Sequence, residues 1–124
     1  MPRPIHFELP ATDPARAARF YREALGWQAT PWDGPHPYWL LATGEAGPGI
    51  DGGLAHRQEG FTAPCLVVEV ADVEAAARSV VSAGGAVVRP REAVPGMGWT
   101  VYATDTEGTL FGMMQFDPQA AEEA

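Results

Sequence analysis

The sequence predicts an α+β fold made of two β-α-β-β-β modules within one domain. Three observations carry this reading. Two segments open on Asp, run at helical spacing and stop at Gly: Asp13 to Gly26 and Asp72 to Gly85. Glycine (14) and proline (12) are abundant among the 124 residues, which cuts the remainder into short elements and disfavours a helical bundle. A shift of 59 residues brings the halves into register, with Asp13 on Asp72, Ala17 on Ala76, Arg19 on Arg78 and Gly26 on Gly85.

The elements follow in order. Pro4 to Leu9 alternates as a short strand, which places His6 and Glu8 on one face and Phe7 and Leu9 on the other. In the first helix Asp13 caps and Pro14 suits the first turn, while Ala17, Phe20, Tyr21 and Ala24 share an apolar face. Trp27–Trp32, Pro37–Thr43 and Ile50–His56 read as strands, separated by Asp33-Gly-Pro-His-Pro and Glu45-Ala-Gly-Pro-Gly. Residues 58–63 form a polar connector. The series then restarts with a strand from Cys65 to Val70, the second helix, and strands at Ala86–Arg91, Trp99–Thr104 and Thr109–Phe116. Asp105-Thr-Glu-Gly108 is a hairpin turn with Gly108 suited to positive φ. Module one thus covers about residues 4–57 and module two about 63–116; the tail, 117–124, has little to pack and is expected to fray.

Composition excludes several functions. Hydrophobic residues make up 46% of the chain and charged residues 19%, which is a soluble, globular balance. The net charge is −8 and every basic residue is arginine, so a lysine Schiff base and a P-loop lysine are ruled out. The acidic balance argues against nucleic acid or an anionic membrane as the partner. Cys65 is the single cysteine, which suits a reducing cytoplasm. No secretory or membrane-spanning segment is expected, because no apolar run approaches ~18 residues.

Four groups of residues carry a resemblance: His6 with Asp13 seven positions on, Phe20-Tyr-Arg-Glu-Ala-Leu-Gly-Trp27, Val68-Glu-Val-Ala-Asp72, and Asp105-Thr-Glu-Gly108. Together they resemble the vicinal oxygen chelate superfamily, the glyoxalase, bleomycin-resistance and extradiol dioxygenase group. The resemblance implies curved mixed sheets around a cavity, a homodimer and often a divalent metal held by four strands. Carried over by position, that metal site falls on His6, Gly53, Cys65 and Gly112. The two glycines offer no donor, and a catalytic divalent ion generally needs at least three protein ligands. The expectation is therefore no metal cofactor.

In that fold His6 and Glu8 would line the cavity, as acid and base, as ligand contacts, or as partners of each other. A further metal arrangement around them lacks an evident third ligand; His56 reads as solvated. Cys65 shares a face with Val67 and Glu69, either as a nucleophile beside His6 or as a small hydrophobe. Trp39 and Trp99, on middle strands, and Met114 complete the expected ligand contacts, with Gly52 and Gly53 letting a ligand approach the backbone. Pro95-Gly-Met-Gly98 is either a lid or an ordinary loop, and Gly47 to Gly53 a hairpin connector rather than a phosphate loop. The helix arginines read as solvated. Three functions follow: a metal-free pocket for a small organic molecule, as in the bleomycin-resistance members; a lyase or dioxygenase-type enzyme using a displaced metal or His6/Glu8 acid–base chemistry; or a non-catalytic regulatory module. The residues do not decide whether a reaction is catalysed.

Overall fold

A computed structural model describes residues 2–122. The chain divides into two compact units, residues 5–64 and residues 65–122 with 2–4. The first unit carries β1 (Arg3–Ala11, entering it at Ile5), α1 (Pro14–Leu25), β2 (Gln28–Pro31), β3 (Tyr38–Ala42) and β4 (Asp51–His56). The second carries β5 (Cys65–Glu69), α2 (Val73–Ser82), β6 (Ala86–Val94), β7 (Gly98–Thr104) and β8 (Leu110–Phe116). Two helices and eight strands among the described residues are the α+β content read from the sequence.

The repeat extends to topology. Within the first unit the sheet order is β2-β3-β4-β1, and within the second it is β5-β8-β7-β6. In each, the module's first strand runs parallel to its fourth, and the other pairings are antiparallel. A parallel pair needs a crossover, and the helix after the first strand opens that crossover in both modules.

Both helices start as the sequence indicates. Asp13 accepts from the Arg16 amide at 3.1 Å, and Asp72 from the Glu74 and Ala75 amides at 2.9 and 3.2 Å. Caps of this kind contribute about 1 kcal/mol each. Gly26 ends α1 in the left-handed conformation at φ +73°. The second helix departs from expectation: its cap is Ala83, and Gly84 takes the positive φ of +101°. The apolar face of α1 also differs, because Pro14, Ala17, Ala18 and Tyr21 turn inward while Phe20 and Ala24 are exposed.

In the first unit, α1 packs on the sheet face that carries Leu9, Ala11, Trp39, Leu41 and Leu54. The second unit's core is Val73, Val101, Ala103 and Met113, with Val68, Trp99 and Phe111 packed against it. The strand β6 runs to Val94 rather than stopping at Arg91. Its pairing with β7 shifts between Val87 and Arg89 and again between Arg89 and Glu92, the second shift spanning Pro90. Proline lacks the ladder N–H and is tolerated at an edge strand or bulge; β6 is at the outer end of this order.

The tail does not fray as expected over its first half. Ala120 is buried, its carbonyl accepts from the Gly96 amide at 2.9 Å, and Asp117 accepts from the Trp99 indole at 3.1 Å. Residues 123–124 lie outside the described residues. The same bonds hold Pro95–Gly98 as an ordinary tight turn: the Met97 amide donates to the Val94 carbonyl at 2.9 Å, and the Met97 carbonyl accepts from Asp117 at 2.8 Å. Gly47, at φ +80°, lies in the connector of the antiparallel hairpin formed by β3 and β4. No helix among the described residues is long and apolar enough to cross a membrane.

Candidate functional site

The sheet of the first unit has one face under α1 and an opposite, open face that no helix of that unit covers. Register decides which residues share the open face. His6 pairs with Asp51 and Glu8 with Gly53 across β1 and β4, and Gly53 pairs with Leu40 across β4 and β3. Tyr38 lies two residues before Leu40, hence on the same face. His6 and Glu8 therefore share a face, as alternation along β1 requires.

A residue that no sequence motif singles out, Tyr38, joins them. The Tyr38 hydroxyl lies 2.7 Å from His6 Nε2 and donates to Glu8 Oε2 at 3.1 Å. The Trp32 ring meets the Tyr38 ring edge-on, with centroids 5.7 Å apart, and the Trp32 amide donates to the Tyr38 carbonyl at 2.8 Å. Both contacts hold the phenol in place.

Gly53 makes room for this chain. A Cβ at that position would collide with the Tyr38 hydroxyl, and one at Gly52 would collide with the Phe7 ring. The two glycines thus admit the protein's own aromatic rings, which corrects the expectation that they bring a ligand to the backbone. In the second unit Gly112 faces Tyr102, whose Cε1 would lie 2.9 Å from an added Cβ, and Val67 at 3.2 Å. At both positions where the family resemblance would put a metal-ligating carboxylate, tyrosine fills the space instead. Among the described residues no group of three or more His, Cys, Asp and Glu side chains is arranged to hold a metal ion. The residues at the four carried-over positions do not fit a divalent metal site.

Electrostatics acts on His6 in two directions. Burial lowers its pKa from the ordinary 6.5, while the Glu8 and Asp51 carboxylates oppose this by favouring the charged form. The lowering prevails. A group with a folded pKa below its unfolded value binds fewer protons when folded. Its contribution to stability is therefore complete above pH 6.5 and declines as pH falls from there towards the folded pKa. The wild type is expected to lose more stability than His6→Gln between pH 7.5 and 5, measured by urea unfolding at each pH. Equal losses would contradict this.

The remaining expected contacts are placed as follows. Trp39 and Trp99 pack on the helix-side faces, Trp39 against Leu41 and Leu54, and Trp99 against the Val101 cluster with the Arg91 guanidinium 4.2 Å over its ring. Trp39 also borders an open groove of about 410 Å³ at the start of α1, with Thr12, Pro14, Pro37 and the exposed His56. Cys65 and Met114 belong to the second unit and are buried, 4% and 6% exposed. Cys65 alternates with Val67, which is 6% exposed. That burial favours the small-hydrophobe reading over the nucleophile, which needs access. The helix arginines are exposed, and Arg22 also reaches the Ala29 carbonyl at 3.2 Å.

In each unit four strands, with a helix crossing from the first to the second, form a glyoxalase-type module, and the chain carries two of them in tandem. The model of the glyoxalase-like domain family matches residues 6–114, and the chain belongs to that family. No curated protein matches its sequence. Solved structures share the fold. One is a methylmalonyl-CoA epimerase from Mycobacterium tuberculosis, with TM-score 0.66, 20% identity, and coverage of 93% of this chain and 88% of that one. Another is a hypothetical protein from Bacillus halodurans C-125, with TM-score 0.69, 17% identity, and coverage of 98% and 99%. A third is a variant methylmalonyl-CoA epimerase from Streptomyces coelicolor in complex with 2-nitronate-propionyl-CoA, with TM-score 0.66, 17% identity, and coverage of 97% and 98%.

Proposed function

We propose that this chain binds a small organic molecule on the open face of the 5–64 unit, at His6, Tyr38 and Glu8, without a divalent metal. One observation carries the reading. The hydrogen-bonded run from His6 through Tyr38 to Glu8 occupies the space in which a ligating side chain at position 53 would stand. Polar groups at that spacing beside Trp32 suit a ligand with an aromatic or apolar body and one polar end. Ligand sequestration, as in the bleomycin-resistance members of the superfamily, is the form of function this supports. A cytoplasmic homodimer belongs to the same reading, carried from the family resemblance and the lone cysteine.

A second reading rests on His6. An imidazole held neutral beside a carboxylate can accept a proton, so the face also suits metal-free acid–base chemistry. The epimerases that share the fold make proton transfer the reaction class to test.

Thermal-shift screening of aromatic and cationic small molecules, with EDTA present throughout, tests the proposal. A ligand at a hundredfold excess over its Kd stabilises by about 2.7 kcal/mol. The same ligand is expected to leave His6→Ala unshifted. A response that survives His6→Ala, or that appears only after a divalent metal is restored, overturns the assignment.

A further inference from the structure

The hydroxyl of a tyrosine carries one hydrogen, and at Tyr38 both His6 Nε2 and Glu8 Oε2 lie within hydrogen-bonding distance of it. Glu8 Oε2, at 3.1 Å, is a carboxylate oxygen that only accepts. If the phenol gave its hydrogen to His6 instead, its lone pairs would face the carboxylate with no proton between them. The hydrogen therefore goes to Glu8. His6 Nε2, at 2.7 Å, then has to donate to the phenol oxygen, so the imidazole proton sits on Nε2. In the neutral ring this leaves Nδ1 as the lone acceptor. The groups that face His6 agree in sign: Glu8 on its own strand and Asp51 across β4 are carboxylates, and Tyr38 on β3 is a phenol. The residues of β1 to β4 that share this open face include no arginine.

We propose that Tyr38 is a positioning residue that holds His6 as the Nε2–H tautomer, so that Nδ1 receives a ligand presenting an N–H or O–H donor, and a ligand carboxylate or phosphate is disfavoured. The ligand class rests on the small-molecule reading above; the tautomer does not. An anion entering this face meets two carboxylates and an imidazole lone pair. An amide, alcohol or amine meets acceptors. Such sign mismatches at close range are what separate partners of similar shape.

Nitrogen-15 NMR of the ligand-free protein, at a pH where His6 is neutral, reads the tautomer directly, with His6→Gln assigning the ring. In the wild type the expected pattern is a proton on Nε2 that persists against solvent exchange and an unprotonated Nδ1. Tyr38→Phe keeps the ring and removes only the hydroxyl; the Nε2 proton is then expected to exchange too fast to observe, and the Nδ1–H form to become populated. An Nδ1–H ring in the wild type, or an unchanged Nε2 proton signal in Tyr38→Phe, overturns the positioning role. Benzamide and benzoate, matched in shape, then test the ligand class on the wild type. Benzamide is expected to move the His6 Nδ1 signal, with benzoate at least about tenfold weaker. Benzoate binding as well as benzamide, with the Nε2–H ring intact, overturns the ligand class alone. If neither probe binds while the Nε2–H ring is intact, the small-molecule reading fails with the ligand class, and the positioning role stands.

Discussion

Leu54→Ala is expected to remove about 2–5 kcal/mol of unfolding stability, the range for deleting a buried leucine whose site cannot collapse. Leu54 is 1% exposed and is held from both sides, by Leu9 across β1 and Trp39 across β3. Neighbouring Leu41 is equally buried, and Ala11 and Ala18, which have no length to extend into a gap, complete the buried cluster. A domain of this size has ~5–15 kcal/mol in all, so the loss approaches the whole at its upper end. Urea unfolding should show a lower midpoint with an unchanged slope. A loss under about 1 kcal/mol would mean that this cluster is not the core of the unit.

Gly53→Ala is expected to cost about 1–3 kcal/mol and to abolish the ligand response. The new Cβ collides with the Tyr38 hydroxyl. The tyrosine has to swing away, which breaks its bonds to His6 and Glu8 and leaves partly buried polar groups without that partner. A second substitution, Tyr38→Ala, removes the obstacle. The double variant should be more stable than the sum of the two single losses indicates, with a coupling of ~0.5–3 kcal/mol. Its ligand response should stay lost, because the hydroxyl is gone. Additive losses would show that Gly53 and Tyr38 do not share this space.

Around Gly53 the contacts that build the site are long-range ones, which local sequence does not encode. The alternation of His6 and Glu8 is a local property of one strand, and it places both on the open face. Tyr38 is 32 residues from His6 and 30 from Glu8, and only strand register brings it there. The run Tyr38-Trp39-Leu40-Leu41 has no polar alternation, so the sequence does not say which of its aromatics turns towards the helix. Trp39 is one of the expected ligand contacts, and the register turns it to the helix side of the sheet, against Leu41 and Leu54. In β7 the signal was present: Thr100 and Tyr102 alternate with Trp99, Val101 and Ala103, a pattern that places Trp99 with the buried residues. The helix starts were legible because Asp13 and Asp72 act within three residues of themselves. The order of the tail is not legible for the opposite reason: Asp117 and Ala120 find their partners in the turn after β6 and at Trp99.

In the proposed function the His6–Tyr38–Glu8 face binds its ligand without a metal. Elemental analysis of the protein purified without chelator, paired with ligand titration before and after EDTA, tests it most directly. The expected result is substoichiometric zinc, nickel, iron and manganese, and a ligand Kd that EDTA leaves unchanged. A stoichiometric metal, with ligand binding lost on its removal and regained on its return, would contradict it.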